Sequence, residues 1–271
     1  MTAIVAAALQ MTSTADVAAN LATAERLVRE AGAAGATFVA LPENFGYLRS
    51  EGEPGAIPQR TDGAWVTRMA GLARELELTL LLGSFPETSD RPEDTRIFNT
   101  SVLLGPDGSV LATYRKIHLF DIDLPGMEHL KESRAVQPGR EVVVAEAPFG
   151  KIGLSICYDL RFPELYRKLS AAGAKVLAVP SAFTETTGLH HWEALLRARA
   201  IENLAYVVAP AQVGDHGKGR ASWGHAMIVD PWGGVLAEVS EGEGMAMARL
   251  DLARVERLRR QLPALGHARL L

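Results

Sequence analysis

The stretch Gly153-Leu154-Ser155-Ile156-Cys157-Tyr158-Asp159-Leu160-Arg161-Phe162-Pro163-Glu164 changes character at its middle. Before the cysteine it is small and apolar, as a buried strand is. After it, Phe162-Pro163 opens a helix, because proline at the first helical turn has its φ preset and lacks only an N–H that would go unused. Cys157 therefore stands at a strand-to-helix junction, and the ends of strands are where α/β sheets meet ligands. A cysteine there is either core packing or a nucleophile. As a nucleophile it acts as the thiolate, which a nearby base or cation favours. Tyr158, Asp159 and Arg161 put polar groups beside it, and the Tyr158 N–H is in place to donate to an oxyanion.

Outward from this junction the chain alternates. Ile4 to Leu9 predicts a strand and Asp16 to Ala31 an amphipathic helix, with Leu21, Ala24, Leu27, Val28 and Ala31 on one face. Thr37 to Leu41 predicts a strand that Pro42 stops. Asp62 to Leu76 predicts a second helix and Thr79 to Gly83 a strand. Asn99 to Leu104 and Ser109 to Tyr114 flank the turn Gly105-Pro106-Asp107-Gly108, a hairpin. Phe120 to Gln137 has no clean period and predicts a functional loop with a short helical turn. Val142 to Ala145, Ile152 to Ile156, Lys175 to Val179, Tyr206 to Ala209, His225 to Val229, Val235 to Val239 and Gly244 to Leu250 predict strands. Phe162 to Ala172, His190 to Asn203 and Leu252 to Leu262 predict helices. About a dozen strands overfill a single sheet, so we expect two sheets packed face to face with helices outside, a four-layer α-β-β-α sandwich of the α/β class.

Two further strand ends carry chemistry. Glu43 follows the strand ending at Leu41, and Lys116 follows the second hairpin strand. Each has an ordinary reading, a solvated loop acid and a surface lysine. Together with Cys157 they are a base, a cation and a nucleophile, and only the fold decides whether they meet.

Composition narrows the class. The 271-residue chain is 48% hydrophobic, carries a net charge of −4 and has one cysteine. It can bury a large core without metal or disulfide staples. One thiol makes no internal disulfide, which fits a cytoplasmic protein. The charge argues against an extended nucleic-acid surface. No apolar run is long enough for a membrane helix, and the apolar start lacks a basic leader region. The histidines are scattered apart from His190-His191 and form no metal motif.

Three segments carry a resemblance: Leu41-Pro42-Glu43, Tyr114-Arg115-Lys116-Ile117-His118-Leu119 and Ile156 to Glu164. In this order the chain resembles the carbon–nitrogen hydrolase family, also called the nitrilase superfamily, from about residue 4 to residue 265. The resemblance implies the four-layer sandwich as one domain over residues 1–271. It implies Glu43 as general base, Lys116 as stabiliser of the intermediate, and Cys157 as the nucleophile that carries the acyl group as a thioester. A second glutamate of the site matches Glu132, whose bare reading is a solvent-facing acid beside Lys131. The resemblance implies no cofactor, a small-molecule amide as substrate, and a homodimer or larger homo-oligomer, with the helix from Phe162 and the tail 263–271 at the interface.

The later segments Val179-Pro180-Ser181-Ala182-Phe183-Thr184, Arg197-Ala198-Arg199-Ala200-Ile201-Glu202 and Ala209-Pro210-Ala211-Gln212 resemble the branch holding deaminated glutathione amidase and omega-amidase, and lean to the former. That implies release of 2-oxoglutarate and cysteinylglycine. The alternatives are an omega-amidase acting on 2-oxoglutaramate or 2-oxosuccinamate, another small-molecule amidase, a carbamoylase, a nitrilase, or a silent binding protein on the same fold. Arg161, Phe183, Met127 and His190 are the candidate substrate contacts. Arg161 either meets a substrate carboxylate or pairs with Asp159 or Glu164. Trp192, Leu195, Leu196, Ile201 and Trp232 read as packing, and Arg197, Arg199 and Glu202 as surface or interface salt-bridge residues.

Overall fold

The computed structural model describes residues 4–48, 57–89, 94–123, 130–217 and 219–269. In chain order its first elements are β1 (Ile4–Met11), α1 (Val17–Ala33), β2 (Phe38–Ala40), α2 (Ala64–Glu75), β3 (Thr79–Glu87), β4 (Ile97–Leu104) and β5 (Val110–Arg115). Three short strands follow, β6 (Asp121–Ile122), β7 (Leu130–Lys131) and β8 (Val136–Gln137), with a 3-10 turn at Glu132–Arg134. Next come β9 (Val144–Ala147), β10 (Gly150–Leu154), a 3-10 turn at Cys157–Arg161, α3 (Pro163–Ala171), β11 (Val176–Ala178), α4 (Glu185–Asn203) and β12 (Tyr206–Ala209). The chain closes with β13 (Ala211–Asp215), β14 (Ala221–Trp223), β15 (Met227–Val229), β16 (Val235–Glu238), β17 (Gly244–Leu250), α5 (Leu252–Gln261) and a 3-10 turn at Ala264–His267.

One sheet runs β14-β13-β1-β2-β3-β4-β5, with β17 also on β1 and β8 on β4. The other runs β16-β15-β12-β11-β10-β9. Successive side chains of β1 show why they stack. Ala6 and Ala8 join the core between the sheets, with Ile152, Val176 and Val207. Ala7, Leu9 and Met11 point the other way, into a second core with Leu21 and Leu27 of α1 and Trp65 and Met69 of α2. A strand puts alternate residues on opposite faces, so β1 is buried on both. Leu165, Tyr166 and Leu169 of α3, and Trp192 and Leu196 of α4, pack against the second sheet. The four layers are as the sequence predicts. Asp16 caps α1 by accepting from the Ala19 N–H at 3.0 Å, an interaction worth about 1 kcal/mol.

The differences are local. The helix α4 starts at Glu185 rather than His190, so most of the 182–191 segment is helical. Thr184 ends the extended chain as its N-cap, and its hydroxyl lies 2.7 Å from that of Thr187. The strands β13 and β14 were not expected. The segment from Phe120 to Gln137, expected as a loop with one helical turn, also holds the strand pair β6–β7 and β8. Trp232 is 60% exposed and Ile201 49% exposed rather than packed. Asp230 accepts from the N–H groups of Trp232 and Gly234, so the turn closes without the indole. No helix among the described residues is long and apolar enough to cross a membrane.

Candidate active site

Glu43 emerges just past β2, where the chain crosses β3 at very short range. A Cβ on Gly83 would lie 1.9 Å from the Leu41 carbonyl and 2.4 Å from that of Pro42. Only glycine lets the two backbones pass there, and the passage sets where Glu43 begins. Lys116 is placed in the same way at the end of β5. Its N–H donates to the Asn99 carbonyl of β4 at 2.9 Å, and its carbonyl accepts from the Gly139 N–H at 2.8 Å. A Cβ on Gly139 would stand 2.0 Å from the Arg115 carbonyl.

Cys157 opens the 3-10 turn that follows β10, in a left-handed conformation (φ 49°). For a residue with a Cβ this costs about 1–2 kcal/mol, so the surroundings must hold it. Its N–H donates to the Pro180 carbonyl at 2.9 Å. Asp159, fully buried, accepts from the Ile156 N–H at 2.9 Å, the Tyr114 hydroxyl at 2.7 Å and the His118 N–H at 3.0 Å. The His118 ring Nδ1 is 2.7 Å from the same carboxylate. This one carboxylate therefore ties the turn of the second sheet to the lysine segment of the first. From the far side, Arg199 of α4 donates twice to the Leu160 carbonyl, at 3.0 and 2.7 Å. Arg199 also makes the expected ion pair with Glu202, at 2.9 Å, but is buried rather than on the surface.

The side chains converge. Lys116 Nζ donates to Glu43 Oε1 at 3.0 Å and to Glu132 at 2.9 and 3.1 Å. Asn99 Nδ2 donates to Glu43 Oε1 at 2.9 Å and to Glu132 Oε1 at 3.3 Å. The Ala182 N–H donates to Glu43 Oε2 at 2.8 Å, crossing between the sheets. Glu132, at the 3-10 turn after β7, also accepts from the Phe120 N–H at 2.6 Å. It is a member of the cluster, not a solvent-facing partner of Lys131.

Burial and charge set the proton positions. Burial alone would raise the Glu43 carboxyl, but the Lys116 ammonium, the Cys157 thiol and the Ala182 N–H outweigh it and hold it below the usual range. Burial works against the Lys116 ammonium too, yet Glu132 and Glu43 raise it well above normal. Burial, then the negative Glu43, push the Cys157 thiol well up despite Lys116. The resting site thus holds a neutral thiol beside an ionised carboxylate and an ammonium. Such a set can pass the thiol proton to Glu43 as sulfur attacks a carbon.

A buried layer supports Glu43 from behind. Gln212 Nε2 donates to the Glu43 carbonyl at 3.0 Å and to Ser13 Oγ at 2.8 Å. His216 Nδ1 is 2.8 Å from the Ser13 carbonyl, and Nε2 2.8 Å from Ser222 Oγ. Burial lowers the His216 imidazole from its ordinary 6.5 to about 4. The unfolded chain then binds the proton first, so stability is intact above pH 6.5 and is lost as pH falls toward 4, by about 3 kcal/mol in all. Denaturant titrations at pH 7 and 4.5 should show this loss, and His216→Gln should flatten it. An unchanged acid slope in that variant would assign the loss elsewhere.

A carbon–nitrogen hydrolase family model matches residues 5–260. The chain belongs to the carbon–nitrogen hydrolase family. It is 48% identical over 266 residues to human deaminated glutathione amidase, covering 97% of this chain and 81% of that one. The crystal structure of the Caenorhabditis elegans NitFhit protein superposes with a TM-score of 0.88 at 40% identity, over 98% of this chain; the chain spans 65% of that longer protein. An amidase of Nesterenkonia superposes with a TM-score of 0.75 at 26% identity, over 98% of this chain and 97% of that one. That structure is of a Glu-to-Gln mutant showing covalent addition of the acetamide moiety of fluoroacetamide at the active-site cysteine.

The remaining candidates of this carbon–nitrogen hydrolase fall in different places. Tyr158 is half-buried, its ring edge-on to Phe120 and Phe162. Arg161 pairs with neither Asp159 nor Glu164; among the described residues it has no carboxylate partner. Its guanidinium sits 5.0 Å from the Phe183 ring centroid and 5.8 Å from that of Tyr158. Phe183 is buried against Trp192. His191 Nδ1, rather than His190, meets Arg161 at 3.3 Å. His190 lines a groove of about 400 Å³ with Leu189, Trp223, His225 and Glu238. Met127 lies outside the described residues. Sequence reasoning did not single out Asn99, Gln212 or Ser13. A trace of Asn99 was there, since Asn99-Thr100-Ser101 interrupts an otherwise apolar strand, and buried polar groups in a strand need partners.

Proposed function

We propose that this protein is a cysteine-dependent amidase that cleaves deaminated glutathione to 2-oxoglutarate and cysteinylglycine. The observation that carries the chemistry is the buried cluster in which Glu43, beside the thiol, is held ionised by Lys116. The 48% identity to the human amidase supports the substrate. In this reading Glu43 takes the Cys157 proton as sulfur bonds to the amide carbon. Lys116 Nζ and the Tyr158 N–H, at the start of a 3-10 turn, stabilise the tetrahedral oxyanion. Glu43 returns the proton to the leaving nitrogen, the carbon–nitrogen bond breaks, and the amine departs. A water then gives its proton to Glu43 and its oxygen to the thioester carbon, and the thiol takes the proton back. Glu132 holds Lys116 in line. Arg161, cationic and without an acidic partner among the described residues, meets the substrate's carboxylate, with Phe183 and Tyr158 as walls.

The test is kcat/KM across deaminated glutathione, 2-oxoglutaramate, simple amides, N-carbamoyl amino acids and nitriles. Deaminated glutathione should lead. A lead for nitriles or carbamoyl compounds overturns the substrate assignment.

A further inference from the structure

Asn99 contacts both carboxylates of the cluster and the main chain of Lys116. Its side-chain Nδ2 bridges Glu43 Oε1 and Glu132 Oε1, and its main-chain carbonyl receives the Lys116 N–H. The same two carboxylate oxygens also share Lys116 Nζ. Two carboxylates thus meet around one ammonium, and like charges this close compete for a proton unless donors separate them. Asn99 adds a donor without adding charge. A lysine there would add a second positive charge, and an aspartate a third carboxylate.

A second observation shows that the amide is present for its donor. Asn99 is 6% exposed, and its Oδ1 is buried without a hydrogen-bond partner among the described residues. An unmet buried acceptor destabilises a fold, so the amide is held here for the two bonds its nitrogen makes. The neighbouring charges do not substitute for it. Arg115 and Glu87 pair with each other at 2.7 Å and engage Phe98 and Thr100, whose side chains lie on the opposite face of β4 from Asn99. The groups facing Asn99 are Glu43 after β2, Lys116 after β5, Glu132 after β7 and, through Glu43, the Cys157 thiol from beyond β10.

We propose that Asn99 is a positioning residue that keeps Glu43 and Glu132 apart around the single Lys116 ammonium, so that Glu43 stays the free proton acceptor for Cys157. This rests on Glu43 acting as the base. The experiment reads that directly and needs no substrate: the rate of Cys157 alkylation by iodoacetamide as a function of pH. Cys157 is the only cysteine, so the label is unambiguous. In Asn99→Leu the acid limb of alkylation should move up by about one pH unit, since Glu43 loses a donor to its charged form. Asn99→Ser, which keeps a hydroxyl donor, should restore part of the shift. With an amide substrate, the acid limb of kcat should move up by the same amount, with KM changed less than threefold. An unmoved acid limb in folded Asn99→Leu overturns the proposal, and so does a thermal destabilisation with no change in the pH profile. Should the leucine variant fail to fold, Asn99→Ala is read by the same limb. A shifted limb in a protein that hydrolyses none of the amides tested supports the positioning role and refutes only the substrate.

Discussion

Cys157→Ala should leave the protein folded and remove its amide hydrolysis, by about 10⁵-fold or more. Loss of a nucleophile that acts as one unit with its base costs on this order. The fold should tolerate it, because the change removes a single sulfur atom from a site already filled by Glu43, Lys116 and the Pro180–Ala182 backbone. The left-handed φ of Cys157 is no worse for alanine than for cysteine. The Asp159 and Arg199 anchors of the turn do not involve the sulfur. Circular dichroism and the melting temperature check the first half, and turnover by mutant protein free of natural enzyme checks the second. Activity within tenfold of the natural protein would exclude Cys157 as the acyl carrier.

Lys116→Met should damage both stability and rate. The methionine matches the stem in length but leaves Glu43 and Glu132 facing each other without a cation. Breaking a buried ion pair by removing one partner costs about 3–5 kcal/mol, because a charge stays behind in low dielectric. With Lys116 gone, the burial that already opposes Glu43 ionisation becomes the dominant influence, and the carboxyl shifts up. Its folded state then holds a proton more tightly than the unfolded one, so stability falls as pH rises. The deficit against the natural protein should therefore be large at pH 8 and shrink toward pH 5. The rate should fall about 10²–10³-fold, as for loss of an oxyanion donor, and further where Glu43 becomes protonated. Equal deficits at both pH values would show that Lys116 contributes packing rather than charge. Near-normal kcat/KM would remove it from the mechanism.

These effects follow from where the three groups sit, and the residues differ in how far local sequence announced them. Cys157 was legible because a strand pattern, a polar break and Phe162-Pro163 all act over a few residues. Glu43 and Lys116 were legible as residues just past strand ends, yet an acid and a lysine there are ordinary. Asn99 was hidden inside a strand run, and Asp159 read only as a polar neighbour. The side chains they pair with are 33 to 56 positions away along the chain, and no periodicity reports such a separation. The start of α4 was missed because Glu185 to Leu189 carries threonines and a glycine, which have weak helix preference; close packing of Gly188 against Trp223 of β14 overrides it. Trp232 was misjudged because hydrophobicity says nothing about which way a tight turn faces.

The sequence by itself determined the alternation of strands and helices, the two-sheet architecture, and the three motif residues whose family resemblance points to carbon–nitrogen hydrolysis. Local forces decide those features: side-chain period, proline and glycine punctuation, and capping. Only the tertiary structure decided that Lys116 is buried between Glu43 and Glu132, that Asn99 bridges the two carboxylates, and that Asp159 locks the cysteine turn of one sheet to the lysine segment of the other. Those relations are set by which strands lie side by side and how the two sheets face each other. Their energies arise from desolvated charges and hydrogen bonds that exist only once distant segments have been packed together.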